Sequence, residues 1–158
     1  IKQREGRIIQ NSSVLGFAAM PFRGAYNASK FALEGLTDTL RQELRDTPIH
    51  ISLIEPGPIA SDFRKNAMAA LIANIDTDKS RHSAAYSAAK KRLVKVGPTN
   101  KYTLGPEAVY RKLLHALESN HPKARYYVTF PTYLMGYLKR ILSTKAMDWL
   151  LVKAGKDG

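Results

Sequence analysis

Tyr26 and Lys30 stand four residues apart, and on a helix that spacing puts both side chains on one face. A phenol, with a pKa near 10, exchanges protons poorly at neutral pH. An ammonium beside it favours the phenolate and turns it into a usable acid and base. Ser13 lies thirteen residues before Tyr26, and its hydroxyl can hold the same substrate oxygen that a phenol protonates or deprotonates. Pro56-Gly57 follows thirty residues after Tyr26, and a glycine there lets backbone approach a flat ligand closely. The chemistry such a set could perform is proton exchange with an alcohol or carbonyl oxygen.

Tyr-x-x-x-Lys by itself is a weak signal, because Tyr86 and Lys90 repeat it. Thirteen residues before Tyr86 stands Ala73 rather than a serine, and thirty residues after it the chain is in a helical stretch, not at a Pro-Gly turn. We read that copy as part of a solvated lid. Ser12 adjoins Ser13, and the spacing to the tyrosine favours Ser13.

The flanking elements must place these groups together. Residues 7–11 form a short strand that ends in Ser12-Ser13. Residues 16–24 contain Pro21 and two glycines and form a loop. From residue 25 to about 45, Phe31, Leu33, Leu36, Leu40 and Leu44 recur at helical spacing, giving an apolar stripe on a helix that stops before Pro48. Residues 50–55, HISLIE, form a second strand stopped by Pro56-Gly57-Pro58. Strand, helix and strand make a βαβ unit with parallel strands, and open α/β sheets place ligands at the carboxyl ends of such strands. Beyond Ser61, residues 62–75 are expected to be helical. Residues 76–105 are polar, basic and punctuated by Gly and Pro. Residues 106–119 form a helix with Pro106 at its start, residues 126–130 a strand, and residues 132–152 two helical pieces broken near Ser143-Thr144.

The 158 residues have an ordinary globular composition, 44% hydrophobic and 24% charged. The absence of cysteine excludes disulfides and thiolate chemistry and fits a reducing compartment. The four histidines lack metal-site spacing, so no metal is expected. Net charge is +12, and it is lopsided. Residues 80–158 carry fifteen Lys/Arg against four Asp/Glu, while the first 79 residues nearly balance. No nucleic-acid motif accompanies that charge, so nucleic acid is not an expected partner, whereas an anionic membrane surface is one candidate. Residues 126–152 mix tyrosines, Trp149, leucines and lysines as an interfacial helix does.

The runs GRIIQNSS-VLG, AYNASKFALEG and SLIEPGPI resemble the short-chain dehydrogenase/reductases, and most of all the branch acting on steroids, retinoids and lipophilic aldehydes. The motifs match over residues 6–61. The resemblance implies an α/β fold, the C-terminal part of a Rossmann-like doubly wound parallel sheet with a helical substrate lid. It implies a catalytic βαβ segment over residues 1–61, and the lid, last helix–strand unit and basic tail over 62–158 of the same domain. It implies Tyr26 as general acid/base, Lys30 as its partner and the holder of the nicotinamide ribose, and Ser13 as the group orienting the substrate oxygen. Pro56, Gly57 and Ile59 would line the nicotinamide, and Ser61 stands where the family usually has threonine. NADP is the expected cofactor, with NAD as the alternative. The expected substrate is a lipophilic carbonyl or alcohol, and a homo-oligomer is expected of the full-length protein. The expected location is the cytoplasm, with peripheral membrane contact. The family's glycine-rich phosphate turn, NNAG segment and catalytic-asparagine helix are absent from these residues. The chain is therefore read as a C-terminal portion, inactive alone. The competing reading is an inactive fragment or basic module that binds an anionic membrane surface.

Overall fold

The computed structural model describes residues 5–95, 97–98 and 100–157. Residues 1–4 lie outside the described residues. Strand β1, Gly6–Asn11, pairs in parallel with β2, Ile49–Glu55, from Gly6 opposite Ile49 to Asn11 opposite Ile54. Strand β3, Arg125–Tyr127, pairs in parallel with the other edge of β2, Leu53 opposite Arg125. The order is β1-β2-β3. The crossover between the first two strands is α1, Gly24–Glu43.

Successive side chains of a strand point to opposite faces, and β2 shows what covers each face. Ile54 packs with Ala108 and Ala116 of α4, Glu107–Glu118, and with Tyr126 and Val128 around β3. Its neighbour Glu55 turns the other way and reaches, through Arg125, residues Glu34 and Asp38 of α1. Helices on both faces of a parallel sheet make a doubly wound α/β arrangement. A second apolar cluster lies beside the loop after β1. There Ala18 meets Met147 and Leu151, with Phe17, Met20, Met135 and Leu138 around them. It joins α5, Phe130–Ile141, to α6, Thr144–Asp157.

Helices α2, Phe63–Asn74, and α3, Ser83–Val94, pack on each other and bury no residue fully. They form an excursion whose two feet are stitched together. Ile59 bridges Leu104 in parallel, Ala60 N–H donates to the Leu104 carbonyl at 2.8 Å, and Leu104 N–H donates to the Pro58 carbonyl at 3.2 Å. The sequence left residues 76–105 without an element, yet α3 occupies the middle of that span. Its alanines favour a helix intrinsically, but it has no apolar stripe for periodicity to detect. The strand expected over 126–130 is shorter and ends at Tyr127, because Phe130-Pro131 already opens α5.

The apolar stripe expected of α1 is not what the helix buries. Its buried positions are Asn27, Glu34 and Thr37, while Leu36 is 64% and Phe31 39% exposed. Glu34 faces inward because it has a partner there. Arg125 Nη1 donates to Glu55 Oε1 at 2.5 Å and also to Glu34 Oε2, and Nη2 donates to Asp38 Oδ2 at 2.7 Å. Arg41 adds a second bond to Asp38, also 2.7 Å. Burial, then the charge of Glu34, pushes the Glu55 carboxyl up to about 8, with Arg125 opposing. Burial acts upward on Asp38 too, but the hydrogen bond from Arg41 and the charge of Arg125 hold it below its ordinary range.

Two predictions come from this cluster. Glu55 keeps its proton in the folded state up to about pH 8 but loses it near 4.5 when unfolded, so its contribution is complete below 4.5 and declines as pH rises to 8. Denaturation midpoints of the protein carrying this chain should therefore fall between pH 5 and pH 8, and Glu55→Gln should flatten that slope; a slope unchanged in the variant refutes the assignment. Arg125→Ala leaves two buried carboxyls without their cation and should cost about 3–5 kcal/mol by chemical denaturation.

Candidate active site

The hydrogen-bond ladder between β1 and β2 runs past both strands' ends. Ser12 N–H donates to the Ile54 carbonyl and Val14 N–H to the Pro56 carbonyl, each at 2.8 Å. Ser13 is thereby held alongside residues 55–56 at the carboxyl end of the sheet. It caps a short 3-10 turn, Val14–Gly16, its Oγ accepting from Leu15 N–H at 3.1 Å, and the hydroxyl keeps its proton free to donate. Ser12 points elsewhere. A Cβ on Gly16 would stand 2.7 Å from Ser12 Oγ and 2.9 Å from Glu34 Oε1, so the Ser12 hydroxyl faces the buried side of α1.

Tyr26 and Lys30 occupy the first two turns of α1, and both are half-buried. Lys30 Nζ donates to the Asn11 carbonyl at 2.9 Å, which ties the helix to the end of β1. The same Nζ lies 5.7 Å from the centroid of the Tyr26 ring. Two ammonium hydrogens remain for other acceptors. Asn27, buried next to Tyr26, donates from Nδ2 to the Met20 carbonyl at 2.8 Å and fixes the start of the helix to the preceding loop.

Pro56, Gly57 and Ile59 follow β2 directly. At Gly57 the direction a Cβ would take is filled by the hydroxyls of Thr129 and Thr132. Those threonines are buried and bonded to each other at 3.1 Å, so Gly57 is small for packing against the start of α5. Ile59 packs against the cluster around Ile54. Ser61 is exposed, and its Oγ accepts from Phe63 N–H at 3.4 Å at the entrance to α2.

Several neighbours of the site escaped the sequence reading because they come from the α2–α3 excursion. Phe63 of α2 meets the Tyr26 ring edge to face at 5.4 Å. His82, at the N-terminal end of α3, and Tyr86, within it, approach the Phe22 ring at 5.6 and 6.5 Å. Phe22 adopts φ +59°, a left-handed backbone uncommon for a bulky residue, in the loop between Ser13 and Tyr26. Arg23, next along, is lowered to about 10 by burial and by Arg92, against the opposing influence of Tyr26. The second Tyr-x-x-x-Lys lies on α3, where Lys90 Nζ donates to Thr77 Oγ1 at 2.6 Å and not toward residue 26. No pattern in the sequence relates residues 63, 82 and 86 to residues 22 and 26.

Comparison with known proteins gives a consistent picture. Residues 1–72 match the family model described as short chain dehydrogenase. The chain is 44% identical over 147 residues to the uncharacterized oxidoreductase YbbO of Escherichia coli K12, covering 93% of this chain and 48% of that protein. It is 37% identical over 149 residues to an NADPH-dependent 3-dehydrocapnine reductase of Ornithobacterium rhinotracheale, covering 94% and 50%. It is 32% identical over 131 residues to human 17-beta-hydroxysteroid dehydrogenase type 1, covering 81% and 38%. Among solved structures, a short chain dehydrogenase/reductase from Burkholderia phymatum in complex with NAD superposes with a TM-score of 0.61 at 27% identity, covering 87% of this chain and 46% of that one. The chain thus spans about half the length, or less, of these proteins.

The packing at Gly57 is directly testable. Gly57→Ala forces a methyl into the Thr129–Thr132 pair and should destabilise the protein by about 1–3 kcal/mol. Adding Thr129→Ala opens room and should recover part of that loss in thermal denaturation.

Proposed function

We propose that this chain, which belongs to the short-chain dehydrogenase family, supplies the proton-transfer site of an NAD(P)-linked oxidoreductase acting on a lipophilic carbonyl or alcohol. The observation that carries the reading is the Lys30 ammonium, bonded to the Asn11 carbonyl and 5.7 Å from the Tyr26 ring, at the strand end that also bears Ser13. Family membership favours an enzyme over an inert basic module. In this reading Tyr26 gives its phenolic proton to the substrate oxygen during carbonyl reduction and takes it back during alcohol oxidation. Lys30 stabilises the phenolate that remains. Ser13 donates its free hydroxyl hydrogen to the same oxygen and fixes its position.

The residues present fit one end of a nicotinamide cofactor. Lys30 has two uncommitted N–H groups for a vicinal diol, and the backbone of Pro56 to Ile59 runs beside the carboxyl end of β2, where ligands of open α/β sheets lie. Ser61 is exposed at the lid's foot. When bound, the nicotinamide supplies the hydride. NADP is the preferred form, with NAD as the alternative; one relative's name specifies NADPH and one solved neighbour is described with NAD. Residues 1–61 form the catalytic βαβ segment of this reading, and the lid and tail follow in the same domain.

Lipophilic preference rests on the rings beside the site, Phe63 against Tyr26 and Tyr86 near Phe22, and a steroid dehydrogenase among the relatives agrees with it. The exposed Leu36 and Phe31 of α1 favour a homo-oligomer built across that helix.

In the intact protein Tyr26→Phe should lower nicotinamide-linked turnover by about 10²–10⁴ with folding unchanged. Tyr86→Phe, in the second Tyr-x-x-x-Lys, should leave turnover within a factor of about two, since its phenol has no part in the proton transfer. Equal effects of the two substitutions refute the assignment. A preference for small polar carbonyls over long apolar ones refutes the substrate class.

A further inference from the structure

Helix α5 has two apolar faces, and its inward face is already packed. Inward, Met135 and Leu138 pack with Ala18, Met147 and Leu151, and Thr132 and Gly136 are buried. Outward, Phe130, Tyr133, Leu134, Tyr137 and Ile141 recur at helical spacing and are 57%, 40%, 39%, 61% and 78% exposed. A helix satisfied on its core side ordinarily turns polar residues to solvent. Tyr102 extends the outward face, its ring stacked on Phe130 with centroids 5.1 Å apart.

The charge carried by α5 and α6 is mainly positive. The sequence of α5 contains no Asp or Glu, and Arg140 is exposed beside Ile141. On α6, Lys145, Trp149 and Lys153 are exposed, with Lys153 Nζ 5.3 Å from the indole and Asp148 as the acidic neighbour. Lys139 belongs to the inward side, donating to the Phe17 carbonyl at 2.5 Å and lying 5.0 Å from the Phe31 ring.

We propose that the outward face of α5 docks on an anionic lipid bilayer, with its aromatic and aliphatic side chains in the headgroup–acyl boundary and its cations against lipid phosphates. A bilayer is the occupant the charge favours. A second copy would bring a half carrying fifteen Lys/Arg against four Asp/Glu up to the same surface and be repelled. Among the described residues no helix is long and apolar enough to cross a membrane, so the contact is a surface one. The first turn of α5 packs on Gly57 through Thr129 and Thr132, and twelve residues of helix extend about 18 Å from there. A substrate dissolved in lipid is therefore met within one helix length of the site. Docking stands on this surface alone, whereas delivery of substrate rests on the oxidoreductase reading.

The test is sedimentation of the intact protein with phosphatidylcholine vesicles, with and without phosphatidylserine, at low and high salt. Binding should require phosphatidylserine and weaken with salt. Tyr137→Ser with Ile141→Ser, both at exposed positions, should weaken it about tenfold or more, and Arg140→Gln about fivefold. Turnover of a water-soluble carbonyl should be the same in all forms. The absence of vesicle binding overturns the proposal, as does binding that all three substitutions leave unchanged, or a dimer that the double variant dissolves. Vesicle binding that follows these substitutions, in a protein without nicotinamide-linked turnover, supports docking and strikes the enzymatic reading alone.

Discussion

One guanidinium sets the rotation of the helix that bears the candidate site. Arg125 leaves β3 and binds Glu55 of β2 together with Glu34 and Asp38 of α1. The carboxylates sit on the same side of α1 as Lys30, one and two turns further along. Clamping them to the sheet therefore turns Lys30 toward the end of β1, where the Asn11 carbonyl receives it. A charge cluster this buried adds little net stability compared with apolar packing, but it is costly to break. That asymmetry suits it to fixing an orientation. Gly16 is part of the same arrangement, since any side chain there would collide with Ser12 and Glu34.

The remainder of the chain divides into parts with separate tasks. The ladder that continues past β1 and β2 holds Ser13 beside Pro56, as rigid as the sheet itself. The α2–α3 excursion buries no residue fully and brings rings to the site, Phe63 on Tyr26 and His82 and Tyr86 near Phe22. Segments with few buried contacts are where local opening is least costly. Helix α5 connects the two, packing on Gly57 at its start and on the Phe17 loop along its inner side.

Read alone, the residues indicated the parallel βαβ unit and the candidate set Ser13, Tyr26, Lys30 and Pro56-Gly57, but not α3, because helical and strand periods and fixed spacings are local properties and α3 has no apolar stripe. They also separated Tyr86 and Lys90 from that set by what lies thirteen residues before and thirty after. Only the tertiary structure decided which face of α1 is buried. Hydropathy predicted the leucines, whereas Glu34 went inside against Arg125, 91 residues away, a compensation no periodicity encodes. The same holds for Gly57, whose neighbours are 72 and 75 residues away, and for the Phe63 ring against Tyr26. A pairing between distant residues becomes visible when the chain has closed upon itself, since its energy depends on distance in space and not on separation along the backbone.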